Sequence, residues 1–171
     1  MAEHVILVRP DDAPVGTAEK LHVHRTGALH RAFSVFVFRP DGAMLLQRRA
    51  ADKYHSPGLW SNTCCSHPRP GEDTSAAAQR RLQEEMGFEC DLASPFSFLY
   101  RADVGDGLIE HEYDHVFLGE WDGAPRPDPA EVSDWRWIRP DALLRELRTG
   151  PNRFTTWFHV AFGELQARAL V

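Results

Sequence analysis

The segment LWSNTCCSHPRPGEDTSAAAQRRLQEEMGF (residues 59–88) spells out a short strand, a proline-broken loop and a helix. Leu59 to Thr63 reads as the strand. It delivers Cys65 and His67 into a loop interrupted by Pro68, Pro70 and Gly71. Asp73 or Thr74 is a suitable N-cap for a helix running through Glu85, and Gly87 is a suitable C′ residue. Arg80 with Glu84 and Arg81 with Glu85 stand four apart, as surface helix pairs do. A thiol, an imidazole and a carboxylate-bearing helix crowded together are hard to explain as core filling, so the active site is expected here.

On the N-terminal side, His30 to Phe38 is rich in aromatic and β-branched residues, the signature of a strand buried on both faces. Pro40-Asp41-Gly42 supplies turn chemistry, and Ala43 to Arg48 reads as the returning partner. Arg48, Arg49 and Lys53 follow, a basic cluster that is either a solvated edge or an anion site. Val5 to Val8 reads as a short first strand. The stretch from Gly16 onward reads as a polar segment carrying His22, His24 and His30, with His22 in a solvated loop.

On the C-terminal side, Phe96 to Ala102 and Leu108 to Glu120 form an antiparallel pair across Asp103 to Gly107. Glu110 and Glu112 are two apart on the second strand, so both carboxylates face one side. They repel unless a cation or a shared proton intervenes. Val132 to Ile138 is a strand with Trp135 and Trp137 on one face, Pro140 opens a helix to about Arg148, and Thr155 to Leu170 is a final helix.

The 171 residues suit one domain, and the net charge of −6 argues against nucleic-acid binding by bulk electrostatics, while leaving room for a local basic pocket. No apolar run is long enough for a transmembrane helix. The N-terminal MAEHVILVRPDD lacks the features of a secretory signal, and Cys64, Cys65 and Cys90 form no spaced framework. A cytoplasmic, monomeric protein with free thiols is expected, with no membrane or nucleic-acid partner. His24, His30, His67, Glu110 and Glu112 come from separate parts of the chain and can converge on one sheet face. Such a set suits a divalent ion, with Mn²⁺, Fe²⁺, Zn²⁺ and Mg²⁺ all open.

The helix segment resembles the Nudix box. Glu72, Arg80, Leu82, Glu84, Glu85, Gly87 and Phe88 fall at matching positions over residues 66–88. Ser66 replaces the first glycine of that pattern and Arg81 replaces the first glutamate of its arginine–glutamate–aliphatic triplet. N-T-C-C-S-H-P at 62–68, L-H-R-A-F at 29–33 and E-H-E at 110–112 together resemble the type I isopentenyl-diphosphate isomerase branch, from about Glu3 to Trp157.

The resemblance implies a single α/β domain over residues 1–171, a Nudix-type mixed sheet sandwiched between helices. It implies His24, His30, His67, Glu110 and Glu112 as ligands of an inner Mg²⁺ or Mn²⁺. Glu85, with a backbone carbonyl near Cys65, would join a second Mg²⁺ to an isoprenoid diphosphate, and no flavin is required. Lys20, Arg49, Lys53 and Arg81 would neutralise the diphosphate. Cys65 would be one acid/base group, Glu112 with Tyr100 the other, and Trp157 would lie over the carbon skeleton. His55, His111, His115 and His159 match no functional position, and structural or solvated roles are expected for them. The competing expectation is a Nudix hydrolase of a nucleoside diphosphate derivative, which needs the glutamate that Arg81 replaces.

Overall fold

The computed structural model describes residues 2–171. Its organising strand is β3 (His30–Phe38), because every other part of the sheet is placed by it. The strand β8 (Leu108–Glu120) runs parallel along one whole edge of β3, from His30 opposite Glu112 to Phe38 opposite Glu120. The other edge is shared. The strand β1 (His4–Val8) meets it at His30, β6 (Cys64–Ser66) pairs with Phe33 to Val35, and β4 (Met44–Arg49) touches only at Phe38. With both edges hydrogen-bonded and both faces covered, β3 buries almost every side chain, which explains its unbroken apolar run.

The expected hairpin between β3 and β4 is therefore nearly absent. After the single pair Phe38–Met44, β6 takes the edge along which β4 would have continued. The strand β4 turns away to pair with β9 (Val132–Ile138) and with the two-residue β5 (Trp60–Ser61). By contrast, β7 (Leu92–Gly105) and β8 form the expected hairpin. Its turn is tightened to Asp106-Gly107, whose positive φ values of 53° and 72° suit a twisted two-residue connection.

Helices cover both faces, as expected. On one, α2 (Thr74–Met86) lays Ala77, Ala78, Leu82 and Met86 against Phe33, Val35, Leu45 and Cys64. Asp73 caps it by accepting from the Ala76 N–H at 3.0 Å. Gly87 ends it at φ 74°, and a Cβ there would lie 2.2 Å from the Arg126 carbonyl oxygen, so both conformation and space demand glycine. On the other face, α3 (Pro140–Thr149) and α4 (Thr156–Ala167) bring Leu143, Phe158, Phe162 and Leu165 onto Phe36, Met44, Phe98 and Val116.

The segment expected to be polar and irregular is instead an edge strand, β2 (Pro14–Glu19), followed by a helix, α1 (Lys20–Thr26). This helix has no side-chain N-cap and is held by burying Val23 and His24. His22 lies on its exposed side. Among the described residues no helix is long and apolar enough to cross a membrane.

Candidate active site

The strands β3, β6 and β8 lie side by side and aim their chemistry into one cleft of about 610 Å³, its open mouth included. Alternation along β6 sends Cys64 into the core beneath α2 and Cys65 into the cleft. The same alternation along β8 puts Glu110 and Glu112 on one face, both buried. Tyr100 is opposite Glu112 in the β7–β8 register, and its Oη lies 2.7 Å from an oxygen of each carboxyl group.

At one end of the cleft, His24, His30, His67 and Glu112 each offer one donor atom within 4.8 Å of the others, and all four are buried. A carbonyl oxygen only accepts, so His24 Nδ1–H donates to the Lys20 carbonyl at 2.7 Å and His30 Nδ1–H donates to the Ala28 carbonyl at 2.9 Å. Both rings thereby turn the lone pair of Nε2 inward. His24 Nε2 has no partner among the described residues, and His30 Nε2 stands 3.2 Å from His67 Nε2. His67 Nε2 is also 3.0 Å from Glu112 Oε1. Inward lone pairs, backbone-fixed tautomers and a carboxylate fit a divalent cation. Burial pushes the His67 imidazole down to about 3, so it is the neutral, ligating form.

Glu110 lies beside this group of four and not within it. It receives the Tyr100 hydroxyl and faces His55 Nε2 at 3.5 Å. Burial, reinforced by the neighbouring Glu112, holds the Glu110 carboxyl well above the usual range. Burial also opposes charge on Glu112, but the His30 and His67 rings packed against it outweigh that and hold the group well below the usual range. The two carboxyl groups are thus pushed in opposite directions, with Tyr100 between them. Burial pushes the Cys65 thiol up, so it carries its proton at neutral pH.

The other end is cationic. Lys20, Arg49, Lys53 and Arg81 all line the cleft. Lys20 bonds Glu3 at 3.1 Å, Lys53 pairs with Glu131, and Arg81 reaches Glu85 at 2.6 Å and Glu84 at 2.7 Å. Glu85 also accepts from Gln47 Nε2 at 2.8 Å. Arg49 is buried and donates to the His55 carbonyl, with its guanidinium 5.1 Å from the Trp157 ring. Trp157 is itself a wall of the cleft.

Of the catalytic, diphosphate-binding and metal residues that the resemblance implies, all except His24, His30 and Tyr100 line the cleft directly, and those three stand behind it within reach of residues that do. Sequence reasoning missed His55, which lines the cleft, is buried and packs 5.4 Å from Trp157. It also missed Ser34, Gln47 and Glu131. The register Ser34–Cys65 could have flagged the first; the others sit in positions with no distinctive spacing.

Residues 28–158 match the NUDIX domain family, which fixes the class of protein. Solved structures agree on the fold: one from Deinococcus radiodurans superposes with TM-score 0.73 at 21% identity, covering 86% of this chain and 90% of that one. A MutT protein from Methanosarcina mazei gives 0.66 at 15%, covering 82% and 95%. Among curated relatives, isopentenyl-diphosphate Delta-isomerase 2 of Aromatoleum aromaticum is 54% identical over 92% of this chain and 83% of its own length. Isopentenyl-diphosphate Delta-isomerase of Serratia proteamaculans is 50% identical over 99% and 95%. The chain belongs to the isopentenyl-diphosphate Delta-isomerase family within the Nudix superfamily.

Proposed function

We propose that this cleft interconverts isopentenyl diphosphate and dimethylallyl diphosphate, supplying precursors for isoprenoid biosynthesis. The observation that carries the reading is that Cys65 and Glu112 line one cleft, with Tyr100 bonded to Glu112 from behind and a cation cluster at the far end. Moving the double bond inward adds a proton at C4 and removes one at C2, through a cation-like centre at C3. Two acid/base groups are therefore required, and an alkene is so weak a base that water must be kept away.

The partly buried thiol of Cys65 is one such group, holding its proton at neutral pH. Glu112, joined to Tyr100 Oη, is the other, and Tyr100 holds or passes the proton between Glu112 and Glu110. Trp157 offers its indole face to the positive centre, an attraction of about 1–2 kcal/mol when desolvated. Lys20, Arg49, Lys53 and Arg81 hold the diphosphate. Arg81 occupies a glutamate position of the Nudix pattern, which exchanges a metal ligand for an anion ligand.

His24, His30, His67 and Glu112, with Glu110 beside them, are the residues to hold an inner Mg²⁺ or Mn²⁺, and Glu85 one that accompanies the diphosphate. Bound there, the inner cation supplies positive charge that strengthens the neighbouring carboxyl as an acid. Residues 1–171 act as one domain and one chain, since Lys20 through Trp157 meet in a single cleft. The three free thiols suit a cytoplasmic, reducing setting.

Proton NMR of isopentenyl diphosphate with the purified chain and Mg²⁺ in D₂O tests the reading. Loss of the vinyl signals with deuterium entering a methyl group of dimethylallyl diphosphate, without added flavin, is expected. Unchanged substrate beside a folded, metal-loaded chain would overturn it in favour of nucleoside-diphosphate hydrolysis.

A further inference from the structure

Cys65 and Trp157 come from different layers of the molecule, and the distance between them must hold during turnover. A line of buried hydrogen bonds joins them. Trp157 Nε1–H donates to Ser61 Oγ at 2.9 Å, and Thr155 Oγ1–H donates to the same oxygen at 3.2 Å. Ser61 Oγ–H donates to Asn62 Oδ1 at 2.9 Å. Asn62 Nδ2 then donates to the carbonyl of Val35 at 3.1 Å and to that of Cys64 at 2.8 Å. The last acceptor belongs to the peptide group that leads into Cys65.

Ser61 and Asn62 are fully buried, and each side chain uses its polar atoms in this line. A buried serine and asparagine are costly choices where apolar side chains would pack, unless the bonds they make are needed. A second tie runs in parallel through the backbone, where the Thr155 N–H donates to the Trp60 carbonyl at 2.9 Å. This fixes the start of α4 on β5 but leaves the rotation of the indole free. The Nε1–Ser61 bond removes that rotation.

We propose that Ser61 and Asn62 are positioning residues that set the indole of Trp157 and the thiol of Cys65 at a fixed separation on either side of the reacting carbons. The inference rests on the reading of Cys65 and Trp157 given above. Neither Ser61 nor Asn62 touches the diphosphate-binding cations, so the strut acts on the chemical step and leaves substrate capture alone. A displacement of an ångström at a reacting group costs about 10²-fold in rate.

The test is steady-state kinetics of Ser61→Ala, Ser61→Cys and Ser61→Thr, with thermal unfolding of each. Ser61→Ala is expected to lower kcat by about 10²-fold, with KM within about twofold. Ser61→Cys, isosteric but a weaker hydrogen-bonding group, falls between it and the wild type, and Ser61→Thr, which keeps the hydroxyl, restores kcat. If Ser61→Ala does not fold, the Cys and Thr variants decide by the same ordering. Wild-type kcat in the Ala or Cys variant, a loss confined to KM, or a kcat that follows the unfolding temperature and not the hydroxyl would overturn the proposal. Cys65→Ala and Trp157→Phe are assayed alongside. Full turnover in those two would overturn the reading of the cleft itself, whereas their failure beside an unaffected Ser61→Ala would overturn the strut alone.

Discussion

At one end of the cleft, imidazoles and a carboxylate turn toward a common point; at the other, two lysines and Arg81 lean on borrowed carboxylates, while Arg49 leans on the His55 carbonyl. The first group suits a cation and the second an anion. The first is buried and held by backbone carbonyls, which leave its geometry little freedom. The second is built of long side chains whose partners keep contact with solvent, Glu3 at 55% and Glu131 at 24% exposure, so an incoming diphosphate can take their place. A fixed cage suits a resident ion, and exchangeable ion pairs suit a substrate that must leave.

The largest effects should come where the two ends meet the reacting carbons. Cys65→Ala is expected to lower kcat by about 10³-fold while the bound metal per chain is unchanged; Glu112→Gln should lower both. A Cys65→Ala chain with normal turnover would remove that residue from the chemistry. His24→Ala, at the fixed end, should weaken divalent-ion binding by at least the ~10²-fold typical of losing a supporting partner, measured by calorimetry. Its substrate KM at saturating metal should stay near the wild type, and a KM that rises instead would erase the distinction between the ends.

At the exchangeable end, Lys53→Met should raise KM by about tenfold, one charge-assisted hydrogen bond, with kcat little changed. Raising the ionic strength should mimic it, since partly exposed charges are screened. The smallest effect lies behind both ends. Glu72 is clasped by Arg80 through two bonds of 2.7 and 2.9 Å and accepts from the Arg69 N–H at 2.8 Å, tying the loop to α2. The Arg80 hydrogen bond holds its carboxyl below the usual glutamate range. A carboxyl lowered on folding contributes stability above its unfolded value and loses it as pH falls through the folded one. Glu72→Gln should thus lower Tm by about 5 °C at pH 7, and the difference should vanish in acid below the carboxylate range. A difference that persists there would assign the loss to packing.

Much of this was legible in the sequence. The helix α2 showed its Asp73 cap and Gly87 stop, β3 its continuous apolar run, and the Glu110–Glu112 spacing its shared face. These are local signals, written in neighbouring residues. What was not legible depends on distant partners. The helix α1 has seven residues and no side-chain cap, and it is helical because Val23 and His24 find a core to enter. The separation of β4 from β3 follows from β6 claiming the edge, which no property of either strand announces. His55 sits in a loop without periodicity, so nothing in its surroundings in sequence marks it as a wall of the cleft.

The parallel pairing of β3 with β8 has a consequence for how the molecule assembles. Ser34 and Asp114, bonded at 2.7 Å, are 80 residues apart, so the chain must close a long loop before these strands can meet. Such non-local pairing slows folding. Until it forms, His30 and Glu112 are strangers, and an ion has nowhere to bind. Occupancy of the cage is then a reward available only to the completed topology: at a hundred times its dissociation constant, an ion adds about 2.7 kcal/mol to the whole fold. An ion held there would tie the chain's persistence to its supply.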